Sequence, residues 1–585
     1  MSYSRTFVGP TVRRSPFVVL ILLASALTLQ AHHVPTPIQL SFGGAGGTDP
    51  VIALDPRGNI DVAWIGSSIF FARSTDHGVS FSNPREVAPL MTTAGNLQMG
   101  LDARNNINLS WSTPSGIFFV RSTDDGESFG TPTKINTTNF IDALQMVVER
   151  KGAIDLTWLL GNGSTLDAFF SRSTDGGTTF STPIDALNAE PNSFSSGNLQ
   201  SLIGPKGQIY VFVTKTEEHG ESHDCTVLFS RSIDHGNTFS SPEDLSSASS
   251  GRCSTSQATV DSRGNIDVAL FYASFSLVDP APQDTLLFRR STDNGESFSA
   301  PVKVSGGTQF FNDADISFTK HFQIFVGSCD QIYIVWTAGN PGARTLFFAG
   351  SKDNGDTFTS PEILSGPSSS GSDKDATLAV DGRGDINVAW SDSGPSDAAS
   401  APLEILFSRS RDAGKAFQNP KGVTANTGLS AVAPKMVLSS SGEAFLVWQA
   451  DSPNHTGTMP SQVFFGRVPA SFSQPIDFTM SVSPRIVAAA PGETLDFTVT
   501  GHDLDDAPEL NLVCSLLPAS TNNQSAPVFE STCTFNPSSL SRSDRTSHLT
   551  LTIPPMLLPG NYFLGVSGVG NSTFNVQTVQ VTVSD

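Results

Sequence analysis

Apolar and polar residues alternate along most of this chain in short runs, and each run stops at a turn signal. In the stretch DPRGNIDVAW, Ile60, Val62 and Trp64 repeat with a period of two, which predicts a strand with one packed face. Gly58, just before it, offers the positive φ of a tight hairpin. Related hairpins end at Trp111, Trp158, Val213, Leu270, Trp336, Trp390 and Trp448, so the pattern occurs eight times. An apolar run such as Ile69-Phe70-Phe71 or Ile117-Phe118-Phe119 comes next, and then a polar turn that itself repeats. That turn reads RSTDHGVSF from Arg73, RSTDDGESF from Arg121, RSTDGGTTF from Arg172, RSIDHGNTF from Arg231, RSTDNGESF from Arg290, GSKDNGDTF from Gly350 and RSRDAGKAF from Arg409. Its aspartates, Asp76, Asp124, Asp175, Asp234, Asp293, Asp353 and Asp412, are spaced by 48 to 60 residues.

A repeat of that length, built from two hairpins, predicts four-stranded antiparallel modules arranged radially as a β-propeller. Eight blades fit the eight hairpins better than seven or six. The eighth unit has a third strand at Val463-Phe464-Phe465 but no aspartate turn. Its fourth strand comes either from the local Phe472-Ser473-Gln474-Pro475 or from Pro37-Ile38-Gln39-Leu40-Ser41, which would close the ring. Antiparallel order puts the short first-to-second and third-to-fourth turns at one end of every blade. The opposite end receives connections of uneven length, six residues from Trp64 to Phe70 but sixteen from Trp390 to Leu406. Variable loops on a rigid scaffold are where binding usually resides. From about Ile476 the pattern changes to seven alternating strands with a Cys514/Cys533 pair, which suggests an immunoglobulin-like sandwich. The expected organisation is therefore a leader at 1–31, a propeller at 36–475 and a sandwich at 476–585.

The leader rests on Arg5, Arg13 and Arg14 ahead of an apolar run from Phe17 to Leu29, the form of a signal peptide. An exported, periplasmic or extracellular chain follows, in which disulfides are permitted. Of five cysteines, Cys225 and Cys253 fall in two neighbouring long-face connections and form a second candidate pair, and Cys329 is left over. A net charge of -21 argues against nucleic acid as a partner. No later run is long enough for a transmembrane helix, no metal-ligand spacing is present, and no cofactor is expected.

The turn S-x-D-x-G-x-[ST]-F has structural chemistry written into it: the carboxylate accepts from turn amides, the glycine takes the left-handed region and the phenylalanine anchors the loop. Seven equivalent copies cannot share one active site. These motifs resemble the Asp-boxes, or bacterial neuraminidase repeats, of the sialidase superfamily, over roughly residues 50 to 475. The C-terminal VCSLLP and CTFNPSS resemble the Ig-like repeats of secreted bacterial proteins. The first resemblance implies catalysis, if there is any, on the face away from the boxes, by a tyrosine nucleophile with a glutamate, an acid/base aspartate and three arginines that hold a sugar carboxylate. No Arg-Ile-Pro occurs, although that family carries one. Tyr272 is the tyrosine that enters a long-face connection, with Glu218 and Arg252 in adjoining ones, and these three form the candidate catalytic set. Two readings result: a propeller that binds a glycan or cell-surface ligand without an intact sialidase set, or an exo-glycosidase of sialidase type with a diverged site. The six tryptophans share one repeat position, where packing between blades is favoured over a sugar-stacking ring.

Overall fold

The structure, a computed structural model, describes residues 34–584 except 43–45, 136–139, 162–165, 188–197, 220–221, 247–251, 275–284, 306–321, 328–329, 339–344, 366–374, 393–401, 425–428, 452–459, 472–478, 503, 505–509, 519–532, 556, 558 and 570–573. The expected leader at 1–31, the Ile476 boundary and Cys329 lie outside the described residues.

Among the described residues ten antiparallel or mixed sheets are formed; nine are four-stranded, and eight of these follow one another along the chain. Blade 1 consists of Thr48–Leu54, Ile60–Ile65, Ser68–Ser74 and Arg85–Pro89, each paired antiparallel to the next. The first strands of blades 2 to 8 are Gly95–Leu101, Phe140–Val148, Leu199–Ile203, Arg252–Val260, Phe322–Val326, Ala376–Val380 and Ser430–Leu438. Each of these touches the first strand of the next blade, and the eighth touches the first, so the inner strands form a closed ring. The chain is an eight-bladed β-propeller. Its fourth strand in blade 8 is Ile38–Gln39, with Ile38 opposite Phe465 and Gln39 opposite Phe464, so the N-terminal alternative is the one adopted.

Eight apolar clusters lie between consecutive blades rather than within them. The tryptophan position explains how. Trp64 packs with Val62, Phe445, Val447 and Phe465 at the junction of blades 8 and 1, and the other five tryptophans fill equivalent junctions. Five of the six stack on a third-strand phenylalanine of their own blade, for example Trp64 on Phe70 at 5.9 Å and Trp448 on Phe464 at 6.1 Å. All six are at most 2% exposed, so they are core residues and do not line a mouth.

C-terminal to the ring, two further sheets enclose a separate apolar core that includes Phe497, Leu512, Leu549 and Val581. Among the described residues nine strands are present where seven were expected. The additions are Ile486–Ala489, which runs parallel to Phe574–Val583, and the two-residue Ser539–Leu540. Both are too short to show a period in the sequence. Cys514 and Cys533 are joined as a disulfide.

Candidate functional site

The two ends of the propeller differ in what their polar groups are doing. At the box end the groups are engaged with one another. Asp76 Oδ1 accepts from Ser74 Oγ at 2.8 Å and from the amides of Val79 and Ser80 at 3.0 and 2.9 Å, while Oδ2 accepts from Ser80 Oγ at 2.6 Å. Ser74 Oγ in turn accepts from the amide of Gly78. The serine hydroxyl and the amide and hydroxyl four residues on recur around Asp124, Asp175, Asp234, Asp293 and Asp353, and around Asp412 without the hydroxyl that Ala416 lacks; the amide three residues on recurs at Asp293 and Asp412. The hydroxyls of Ser80, Ser128 and Thr179, followed by turn amides, hold Asp76, Asp124 and Asp175 down to about 2.

Each box also fastens its blade to the one before it. The box glycine lies flat on a third-strand phenylalanine of the preceding blade: a Cβ on Gly78 would come within 2.6 Å of the Phe465 ring, and Gly126 and Phe71 repeat the arrangement. The box phenylalanine meets that same ring edge-on, Phe81 to Phe465 at 4.8 Å and Phe129 to Phe71 at 5.3 Å. The box arginine points the other way. Arg73 is buried, donates to both oxygens of Asp61 at 2.8 and 2.9 Å and to Asp55 at 3.0 Å, and reaches Asp125 of the next box at 3.2 Å. Arg172 and Arg290 repeat the inward pairing with Glu149 and Asp155, and with Asp261 and Asp267. Burial pushes Asp61, Asp155 and Asp267 up to about 7 against the pull of these guanidiniums. The eighth unit, whose box is eroded, keeps this device. Arg467 donates to the carbonyl of His77 in blade 1, a role hidden in the sequence by the missing aspartate.

At the opposite end the blades are not equivalent. The first strands of blades 8, 1, 2 and 3 each carry a bulge close to that end, between Val432 and Lys435, Thr48 and Val51, Gly95 and Gln98, and Ile141 and Ala143. An extra residue re-aims side chains, and such bulges concentrate next to functional sites. Here the inserted segments carry Asp49, Asn96, Asp142 and Ala433; the first two and Ala433 have φ of 47°, 54° and 51°. A hydrogen-bonded polar arc results. The Asp49 amide donates to Gln449 Oε1 at 3.4 Å, Gln449 Nε2 donates to Asp451 at 3.0 Å, and Asn96 Nδ2 donates to Ser112 Oγ at 3.0 Å. Sequence reading missed this arc because a one-residue insertion near a loop leaves no periodic mark.

The candidate catalytic residues all fall at this long-loop end, but on strands rather than in loops. Blade 4 extends its second and third strands into a hairpin, Ile209–His219 and Ser222–Ser232, which places Glu218 opposite His223 and Cys225 opposite Thr216. The polar Thr/Lys/Glu sequence shows no packed-face alternation; the ladder simply continues past the point where a blade core exists to be packed. In blade 5, Arg252 begins the first strand opposite Ser274, and Tyr272 lies in the second strand opposite Ser254, two register positions away. Cys253 is opposite Ala273. Among the described residues no group of three or more His, Cys, Asp or Glu side chains is placed to hold a metal. No helix among them is long and apolar enough to cross a membrane.

No family model matches the chain. No curated protein matches it. Solved structures similar to it include a protein of unknown function from Dyadobacter fermentans DSM 18053, 14% identical with a TM-score of 0.35, over 74% of this chain and 98% of that one. Another is the polysaccharide lyase Uly1, 10% identical with a TM-score of 0.41, over 72% of this chain and 99% of that one. Similarity at that level speaks to neither ligand nor chemistry.

Proposed function

We infer that this chain is an exported propeller of sialidase-superfamily type that recognises a glycan or cell-surface ligand through its long-loop face, without an assembled sialidase catalytic set. The observation that carries this reading is the division of labour between the two ends. Box carboxylates and arginines are committed to fastening blades, whereas the far end carries the uneven connections and an asymmetric bulged arc over blades 8 to 3. A ring of repeats becomes a binding site where its symmetry is broken. The C-terminal sheets, read as an Ig-like module, serve as a spacer or attachment.

The second reading, an exo-glycosidase of sialidase type, is favoured by the two-position register between Arg252 and Tyr272 on paired strands. The mature protein incubated with a panel of fluorogenic sialosides, in parallel with a glycan array, separates the two. Array binding without turnover supports the binding reading. Turnover that disappears in Tyr272→Phe overturns it and establishes the hydrolase.

A further inference from the structure

We propose that the box face carries a second ligand site, a groove between blades 5 and 6 that takes a neutral, hydroxyl-rich molecule such as a short uncharged oligosaccharide. The groove encloses about 710 Å³, inside the range of roughly 300–1,000 Å³ usual for small-molecule sites. At the junction of blades 1 and 2, Arg85 pairs across to Glu127 at 2.8 Å. Arg85 stands opposite Phe71 in its blade, and Val302 stands opposite the equivalent Phe288 in blade 5. The residue at the Glu127 position of box 6 is Asp356. A valine and a shorter carboxylate stand here in place of the pair that spans the junction of blades 1 and 2.

The lining sets the ligand class. The side chains of Thr292, Asn354 and Asp356 form no hydrogen bond among the described residues, so a hydroxyl, an amide and a carboxylate remain free to engage a guest. The two guanidiniums at the groove are already compensated, Arg263 by Asp330 at 2.9 Å and Arg290 by Asp261. An anionic ligand would meet the free Asp356 carboxylate, and the guanidinium without a carboxylate partner, Arg289, is held by the carbonyls of Ser299 and Leu245 over the Phe298 ring. Vicinal hydroxyls suit the set better, because they donate to a carboxylate and accept from an amide or a held guanidinium. The half-buried Phe298 ring offers an apolar patch for the C–H face of a sugar.

The full mature chain is titrated calorimetrically with maltotriose, cellotriose, N-acetyllactosamine and, as the charged comparison, trigalacturonate. The blocking variant Val302→Arg/Asp356→Glu rebuilds the pair that blade 1 already accommodates, and its melting curve checks that it folds. At least one neutral trisaccharide or disaccharide is expected to bind, and at least tenfold more weakly to the blocking variant. Absence of binding by all neutral probes, binding that survives the block, or tighter binding of trigalacturonate would overturn the proposal. Binding lost in Asp49→Ala on the far face but kept in the blocked protein would overturn it while leaving the long-face reading in place.

Discussion

Gly126 shows how much one residue carries at a blade junction. Its φ is +84°, and the position a Cβ would occupy is filled by the Phe71 ring of the preceding blade. Gly384 has a similar φ of +90° with nothing within 4 Å. The two separate backbone strain from packing. Gly384→Ala should cost about 1–2 kcal/mol, the left-handed penalty alone. Gly126→Ala should cost about 2–5 kcal/mol, since overpacking adds about 1–3 kcal/mol; urea unfolding of both variants measures the difference. Asp61 allows a test by pH. Its folded pKa, raised by burial to about 7, stands above an unfolded value of about 3.9. Between those values the folded state holds the extra proton, so the contribution of this group to stability falls as pH rises from about 4 to 7. Asn108 and Asn387 occupy the same position in blades 2 and 7, so Asp61→Asn is a replacement the architecture already uses. Melting temperatures of the variant and the parent should agree near pH 4, and the variant should be the more stable above pH 7. Equal melting curves at pH 8 would show that Arg73 keeps Asp61 ionised at no cost.

Blade 6 has rewritten the buried ion cluster as a unit. Where blade 1 has Asp55, Asp61 and Arg73, blade 6 has Gly327, Tyr333 and Gly350, and Tyr333 stacks on Phe348 at 6.0 Å beside the bare Cα of Gly350. Arg73→Gly alone should therefore cost about 3–5 kcal/mol, because it strands the buried Asp61 carboxylate, whereas Asp55 keeps the amides of Arg57 and Asn59. Adding Asp55→Gly and Asp61→Tyr should recover most of that loss in denaturant unfolding, as blade 6 manages without the charges. This is also the scale at which the sequence was most and least informative. Strands with one packed face announce themselves by a period of two, and the box turn by its Asp and Gly, so blade number, strand order and the orientation of the two ends were legible. The contact of Gly126 with Phe71 was not, since it joins residues of different repeats and each has a sufficient local explanation. Arg467 was hidden by loss of the aspartate beside it. The blade 4 hairpin was invisible because, beyond the core, nothing rewards alternation in Thr216 to Cys225. Loop topology puts Tyr272, Glu218 and Arg252 at the long-loop end, but their register within strands depends on how far each ladder extends, which hydrophobicity does not encode.

For the whole molecule the governing question is how the ring is held shut. Two fastenings meet at the junction of blades 8 and 1 and share one apolar cluster. One is the N-terminal strand, in which Ile38 and Gln39 pair with blade 8, Leu40 is buried and its amide donates to the Val463 carbonyl at 2.8 Å, and Ser41 Oγ accepts from the Val463 amide at 2.9 Å. The other is the repeat packing itself, with Phe465 under Gly78 and Phe81, Trp64 between the blades, and Arg467 on the His77 carbonyl. Burying Leu40 contributes about 1.5–3 kcal/mol and each net hydrogen bond about 0.5–1.5 kcal/mol, so removal of residues up to Ser41 should cost about 3–6 kcal/mol. The box contacts of Gly78, Phe81 and Arg467 are left in place by that truncation, although the cluster around Trp64 and Phe465 loses Leu40, so the ring should stay closed at moderate temperature but melt earlier. It should also associate, because Gln462–Val468 becomes an unpaired edge strand. Light scattering during a thermal ramp reads both effects, and a synthetic peptide of residues 34–42 supplied in excess should reverse both by refilling the edge. If the truncated chain melts with the parent and stays monomeric, closure resides in the repeat contacts alone. The N-terminal strand would then be an edge cover, and the eighth junction would be as strong as the seven that have no strand supplied from elsewhere in the chain.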